Sequence, residues 1–259
     1  MKSFAAAVLT LLLGGVAYGQ EQYERILVPI GAYNLAGAYG SLWQTELTGF
    51  NTGEAFIPVK VSLSEVCALP EGCPDTPAQP HQVFSFVVGA AQGGFFFIAR
   101  EHADDVRFNL RIFDSTRQSE SYGTMLPVAR ERDFSTHSLS FLNVIISPNS
   151  RTLLRVYGFD NMPDLVTVKA TRTSFFPGLV GKSASFQVPI LQHPLSLGGA
   201  EFPSFGSIDV SAAIPMELLT PGVGFPRFLV EVRPNEQKLW ALITVTNNTS
   251  QHVTAVTPQ

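Results

Sequence analysis

At 259 residues the chain can bury one large core or two modest ones, since single domains usually run about 100 to 200 residues. Charged residues make up 15% and apolar residues 45%, with 20 phenylalanines, a composition that excludes a disordered chain. The 17 basic and 21 acidic side chains leave a formal charge of −4 and form no basic cluster, which argues against nucleic acid as a partner.

The chain opens with Lys2, an apolar run from Phe4 to Val16, and small residues at Ala17 and Gly19. That order is the pattern of a secretory signal, with residues 1–19 removed after Gly19. A membrane anchor is the competing reading, but the run falls short of the roughly 20 apolar residues a spanning helix needs. No cysteine lies near the cut to carry a lipid. Lys2 is the signal's only charged residue, so its removal leaves 16 basic against 21 acidic residues, a formal charge of −5. The expected location is therefore outside the cytoplasm, periplasmic or extracellular, with no membrane span after signal removal.

Past the signal, alternation of apolar and polar residues recurs along the chain. The loop Gly31 to Gly40 comes first and sets Tyr33 and Tyr39 on a Gly and Ala background. Ile57 to Leu63 reads as a strand. Cys67 and Cys73 follow, around a turn-forming stretch with Pro70 and Gly72. In an oxidising compartment this spacing predicts a disulfide closing a short surface loop. With His81 the only nearby imidazole, two cysteines do not make a zinc site.

Val83 to Ala99 runs 17 residues without a charge. It competes as a membrane span, but Gly89, Gln92, Gly93 and Gly94 suit a tight turn, so a buried hairpin of Val83–Val88 with Phe95–Ala99 is expected. The polar group Arg100 to Asp105 comes next. Glu101, His102, Asp104 and Asp105 could hold a cation, but their spacing matches no ligand register, and a solvated hairpin loop is the expectation. Val106 to Ile112 then alternates cleanly, with Val106, Phe108, Leu110 and Ile112 on one face of a half-buried strand.

The same period returns in Leu165–Ala170, Phe186–Ile190 and Phe228–Val232, and Gly, Pro, Asn and Asp mark the turns between such runs. Ser174 to Gly181 presents Phe175 and Phe176 in a loop. Helix is expected for at most a turn or two, near Ser64–Ala68 and Pro215–Leu219. Leu239 to Thr246, an Asn-rich turn and His252 to Val256 end the chain. Asn247 and Asn248 match a glycosylation acceptor pattern, which here also reads as a turn favouring Asn.

An internal repeat at an offset of 98 residues lays Leu27-Val-Pro-Ile30 over Met125-Leu-Pro-Val128, Trp43, Thr45 and Leu47 over Phe141, Asn143 and Ile145, and Asn51 over Asn149. The hydrophobic phase is kept, and a one-residue slip would turn a strand's core face outward. A repeat of this size matches one immunoglobulin-like domain. The fold class expected is all-β with very little helix: two tandem immunoglobulin-like sandwiches, residues 22–123 and 124–259, the second enlarged by Thr173 to Lys182.

The segments Trp43-Gln-Thr-Glu-Leu47 with Asn51, and Leu239-Trp-Ala-Leu-Ile-Thr-Val-Thr-Asn-Asn-Thr249, carry a likeness. The chain resembles uncharacterised exported bacterial proteins with tandem immunoglobulin-like β domains. That resemblance implies export and a β-sandwich, and no activity, ligand or catalytic residue. Periplasmic pilus chaperones are a second comparison, because Val106 to Ile112 is similar to their client-donating strand. The acidic balance departs from that family, and its anchoring Arg and Lys pair is not assigned to positions in this sequence.

No nucleophile elbow, His-Glu-x-x-His helix, phosphate loop or dinucleotide fingerprint occurs, and His81, His102, His137, His193 and His252 stand singly. The expected function is non-enzymatic: an exported binding or structural protein that contacts a protein or a glycan through loops or a strand edge. No cofactor and no metal is expected. Tyr33, Tyr39, Phe175 and Phe176 are the candidate binding residues, because aromatics in loops stack on sugars or anchor a protein partner. A hydrolase-type enzyme whose site assembles from distant residues is the alternative.

Overall fold

The computed structural model describes residues 22–37, 40–62, 75–89, 93–117, 122–159, 162–174, 178–192, 203–221 and 224–259. The signal segment 1–19, the helical turn expected at Ser64–Ala68, the Cys67–Cys73 bridge, Tyr39, Phe175 and Phe176 lie outside them.

The chain is all-β. In its first half one sheet has the order β1 (Tyr23–Val28), β7 (Gly94–Ala99), β4 (Ile57–Ser62), β5 (Asp75–Ala78), with β10 (Ala129–Arg130) on the far edge of β1. The facing sheet has β3 (Leu42–Asn51) beside β8 (Val106–Asp114), with β9 (Thr124–Leu126) outside β8; β6 (Val83–Val87) and β2 (Leu35–Ala36) share the other edge of β3. Leu47, Phe84 and Leu110 from this sheet join Ile26, Phe96 and Val59 from the other in one buried cluster, so the two sheets form a sandwich.

The second half builds β11 (Leu139–Ile145), β16 (Arg227–Arg233), β13 (Leu165–Arg172) and β14 (Ser183–Leu191) in that order, then β15 (Ser204–Asp209), β12 (Ser150–Gly158), β17 (Leu239–Asn247) and β18 (Val253–Val256). β14 turns the corner between the two layers. Its residues 183–189 pair with β13, while Ile190 and Leu191 pair with Gly206 and Phe205 of β15. A second core lies between the layers, with Phe141, Val168 and Phe228 against Leu154, Val156 and Ile243.

The strand order is the same in both halves. β1-β7-β4-β5 corresponds to β11-β16-β13-β14, and β6-β3-β8-β9 to β15-β12-β17-β18. This changes the alignment expected from sequence, because a 98-residue offset lays β3 over β11, which occupies the place of β1. The true counterpart of β3 starts at Ser150, 108 residues after Leu42, and that of β8 starts at Leu239, 133 residues after Val106. A period of two is the same in every strand, so phase alone cannot say which strand matches which. The two asparagines differ accordingly: Asn51 is buried and donates to the carbonyls of Ala55 and Ala78 at 2.8 Å, whereas Asn149 is exposed.

Two further expectations change. Val83–Val88 and Phe95–Ala99 form no hairpin: β6 pairs with β3 and β7 pairs with β1 and β4, so the two strands lie in different sheets. Gly93 takes φ +89° just before β7, and a Cβ on it would lie 2.8 Å from the carbonyl oxygen of Val28, so the glycine serves a close approach rather than a tight turn. The boundary after Gly123 also moves, since β9 pairs with β8 and β10 with β1, both in the first sandwich.

Burial explains why β7 lacks alternation. Phe96 packs inward on Phe86, at 5.2 Å between centroids, while Phe95 on the opposite face stacks on Phe159 of the second half at 5.5 Å. β8 alternates because Val106, Leu110 and Ile112 are buried while Arg107 and Asn109 stay in solvent. β17 is buried on both faces: Leu239, Ala241 and Ile243 enter the second core, and Trp240 and Leu242 enter the first. The halves are therefore joined by a continuous apolar contact. The Tyr157 hydroxyl donates to the carbonyl of Pro29 within it, and complete burial pushes the phenol up to about 12. Among the described residues α-helix is limited to the turn Val210–Ala213, and a 3₁₀ turn at Met216–Leu219 follows Pro215, which favours a helical start. No helix among the described residues is long and apolar enough to cross a membrane.

Candidate functional site

Of the four loop aromatics, Tyr33 is described, and it is 64% exposed. Its loop follows Pro29, which meets Tyr157 near the end of β12. The Ser174 loop lies near the start of that strand, because the Ser174 hydroxyl accepts from Arg227 N and neighbouring Pro226 accepts from Ile146 N. Pro29 thus lies at one end of β12 and Ser174 toward the other, on the order of 25 Å apart for a strand of this length.

Arg100–Asp105 is a 3₁₀ turn that carries the chain from β7 to β8, which lie in different sheets, so it is not a hairpin loop. The Glu101 side chain is 79% exposed and lies 3.7 Å from His102 Nε2; His102 Nδ1 lies 3.4 Å from Asp105. Asp104 turns away from them toward Arg132. That hydrogen bond and the Arg132 charge hold its carboxyl below the ordinary carboxylate range. No group of three His, Cys, Asp or Glu side chains suited to a metal occurs among the described residues.

The connecting segment after β10 is fastened by charge. Arg130 donates to Glu24 at 3.0 Å and to the carbonyls of Ala103 and Val106 at 2.7 and 2.8 Å. Glu131 accepts from Arg100 at 2.9 Å and lies 3.5 Å from Arg25, whose guanidinium sits 4.1 Å over the Phe159 ring. These groups use their hydrogen-bonding capacity on one another and hold the junction.

Open space with converging polar groups lies elsewhere, in a cleft of about 470 Å³ walled by both halves. Trp43 at the start of β3, Ile112 and Asp114 on β8, and Arg117 line one wall; Ser250, Gln251 and His252 line the other. The indole is only partly buried, and its Nε1 edge is covered at Gly37, where a Cβ would lie 2.4 Å away. Asp114 Oδ1 accepts from Thr116 Oγ1 at 2.7 Å and from Leu42 N and Thr116 N at 3.0 Å. Burial raises its pKa, but these bonds and the Arg117 charge outweigh that and hold the carboxyl below its ordinary value.

Arg117 spans the cleft by donating to the carbonyl of Ser250 at 3.3 Å, and the Thr124 hydroxyl donates to Val253 O beside it. The opposite wall is a rigid turn. Asn247 Oδ1 accepts from Thr249 N and Ser250 N at 2.9 and 2.8 Å, and Gln251, at φ +57°, donates to Asn248 O at 2.8 Å. Sequence reasoning missed this site because Trp43 fits the core-facing period of its strand and His252 stands about 200 residues away. Comparison with protein-family models, curated proteins and solved structures finds no match.

Proposed function

We propose that this chain is an exported, non-enzymatic binding protein that takes a neutral glycan in the cleft between its two sandwiches. The observation that carries the reading is the Trp43 ring beside Asp114, Arg117 and His252 in a space of about 470 Å³. A sugar ring has an apolar C–H face for an indole and a rim of hydroxyls that both donate and accept, and this cleft offers partners for each. Asp114 and Arg117 offset each other, so the cleft shows no preference for an ionic ligand. Among its described lining residues Asp114 is the sole carboxylate, whereas glycoside hydrolysis generally uses two, which favours binding over the hydrolase alternative.

The immunoglobulin-like reading rests on the four central strands. β3 pairs with β6 and β4 with β7, as B does with E and C with F in that fold, while the first and last strands have exchanged sheets. A pilus-chaperone role finds less support, since β8 lies between β3 and β9 rather than on an open edge over Leu110 to Ile112. Tyr33, Tyr39, Phe175 and Phe176 remain further candidate anchors for a protein or glycan on other surfaces. Export is checked by mass spectrometry of secreted protein, which should begin at Gln20. Binding is checked on an array of neutral glycans: a bound sugar should lose about thirtyfold in affinity on Trp43→Ala, near 2 kcal/mol. An array without binding, or a bound sugar indifferent to Trp43→Ala, would rule the cleft out.

A further inference from the structure

The cleft does not end at the β17–β18 turn. Ser250 and His252 also line a second depression of about 510 Å³ on the far side of that turn. This second depression in turn shares Ser147, Ser150 and Phe225 with a third, of about 610 Å³, which ends at Met216 and Asp209. The three lie in series as a track of adjacent depressions, each sharing lining side chains with the next. Its middle is lined by hydroxyls and amides, including Asn149, Asn247 and Thr254, and Phe225 stands between the second and third depressions with 48% of its surface exposed. Charge is balanced along the whole length: Asp114 and Arg117 in the first depression, Arg151 and Asp209 in the third.

We infer that the ligand is a chain, a neutral polysaccharide lying along this track, with Trp43 as one stacking platform and Phe225 as a second. The inference rests on the glycan reading of the cleft and extends it. A mono- or disaccharide would be held by the first depression alone and leave the other two without a role. Repeated aromatic and hydroxyl partners on a line suit a ligand that repeats its own apolar faces and hydroxyl rims. The track is also rigid where it bends, because the Asn247 turn is closed by its own side chain, so little ordering cost attends binding. An ionic polymer has no counterpart here, since no stretch of the track carries unbalanced charge.

The test is isothermal titration calorimetry on the whole secreted protein with two ladders of soluble neutral oligosaccharides, the cello and malto series from disaccharide to heptasaccharide. Affinity is expected to rise with length in one ladder. Phe225→Ala should weaken the longest member about tenfold while leaving the disaccharide unchanged, and Trp43→Ala should weaken every member. Phe225 is half exposed, so its truncation should keep the fold; Met216→Ala, at an 80% exposed site, gives an independent variant at the track's end. Equal affinity at all lengths, or a heptasaccharide weakened by Trp43→Ala but indifferent to Phe225→Ala and Met216→Ala, would overturn the polymer reading and leave the single-site reading standing. No binding of any member in either ladder would sink both.

Discussion

The junction cluster around Arg130 and the cleft around Trp43 both sit where the two sandwiches meet, and both set an arginine against a carboxylate. They differ in what is left over. At the junction the Glu24 and Arg130 side chains are 5% and 14% exposed, and the guanidinium is engaged by two carbonyls besides the carboxylate. In the cleft Asp114 is equally enclosed, but Arg117 is 30% exposed and borders open space. Charged groups at a contact therefore do not mark a site by themselves; a polar group beside unfilled volume does.

The junction depends most on Arg130. Arg130→Ala should destabilise the protein by about 3 to 5 kcal/mol, because it strands a buried carboxylate and two carbonyls together. Urea unfolding would read this as a lower midpoint at unchanged slope, and a loss under about 1 kcal/mol would mean that water already screens the cluster. Next is Phe159, which is 8% exposed and stacks on Phe134 at 3.9 Å and on Phe95 at 5.5 Å. Phe159→Ala should cost about 3 kcal/mol. Because Phe159 and Phe95 come from different halves, separate unfolding of the two sandwiches is the expected calorimetric signature, and one unbroken transition would show that β17 alone couples them.

Asp114 gives a smaller effect, with a pH signature. Its folded pKa is depressed below the ordinary value of about 3.9, so its contribution to stability is complete above that pH and is lost as pH falls through the folded value. Asp114→Asn should therefore be less stable than the parent at neutral pH, and the gap should close below about pH 4. A gap that persists in acid would place the cost in packing rather than in ionisation.

Local pattern made some of this legible and distance hid the rest. The β8 alternation could be read because one of its faces meets solvent, and the 3₁₀ turn at Met216–Leu219 because Pro215 favours a helical start. The partners of β6 and β7 could not be read, since a glycine-rich connection looks the same whether it turns back or crosses between sheets. Trp43 shares the core-facing period of Thr45 and Leu47, so pattern alone does not set it apart. Its role depends on a wall made by residues 250–253, and nothing in either segment announces the other. The shared strand order was not legible, because the 98-residue offset matched β3 to β11, and the alternating period stays the same from strand to strand while connection lengths differ.

The smallest expected effect belongs to the polar turn between β7 and β8, which is rich in charge yet has neither a buried ion pair nor enclosed space beside it. Glu101 is 79% exposed and its nearest imidazole nitrogen is 3.7 Å away, a contact that water screens. His102 meets Asp105 at 3.4 Å, but that carboxylate is 43% exposed. Removing such groups strands nothing buried and opens no cavity. Glu101→Gln combined with His102→Asn should shift unfolding by no more than about 0.5 kcal/mol. Neither calcium nor a chelator should move the thermal midpoint of parent or variant, because the carboxylates face outward and Asp104 is already drawn toward Arg132. Glycan binding, read in the same calorimetric assay used for Trp43→Ala, should also be unchanged. A chelator-sensitive midpoint that disappears in the double variant would make this turn a cation site, and would show that exposed charge can mark a functional surface here without enclosed space beside it.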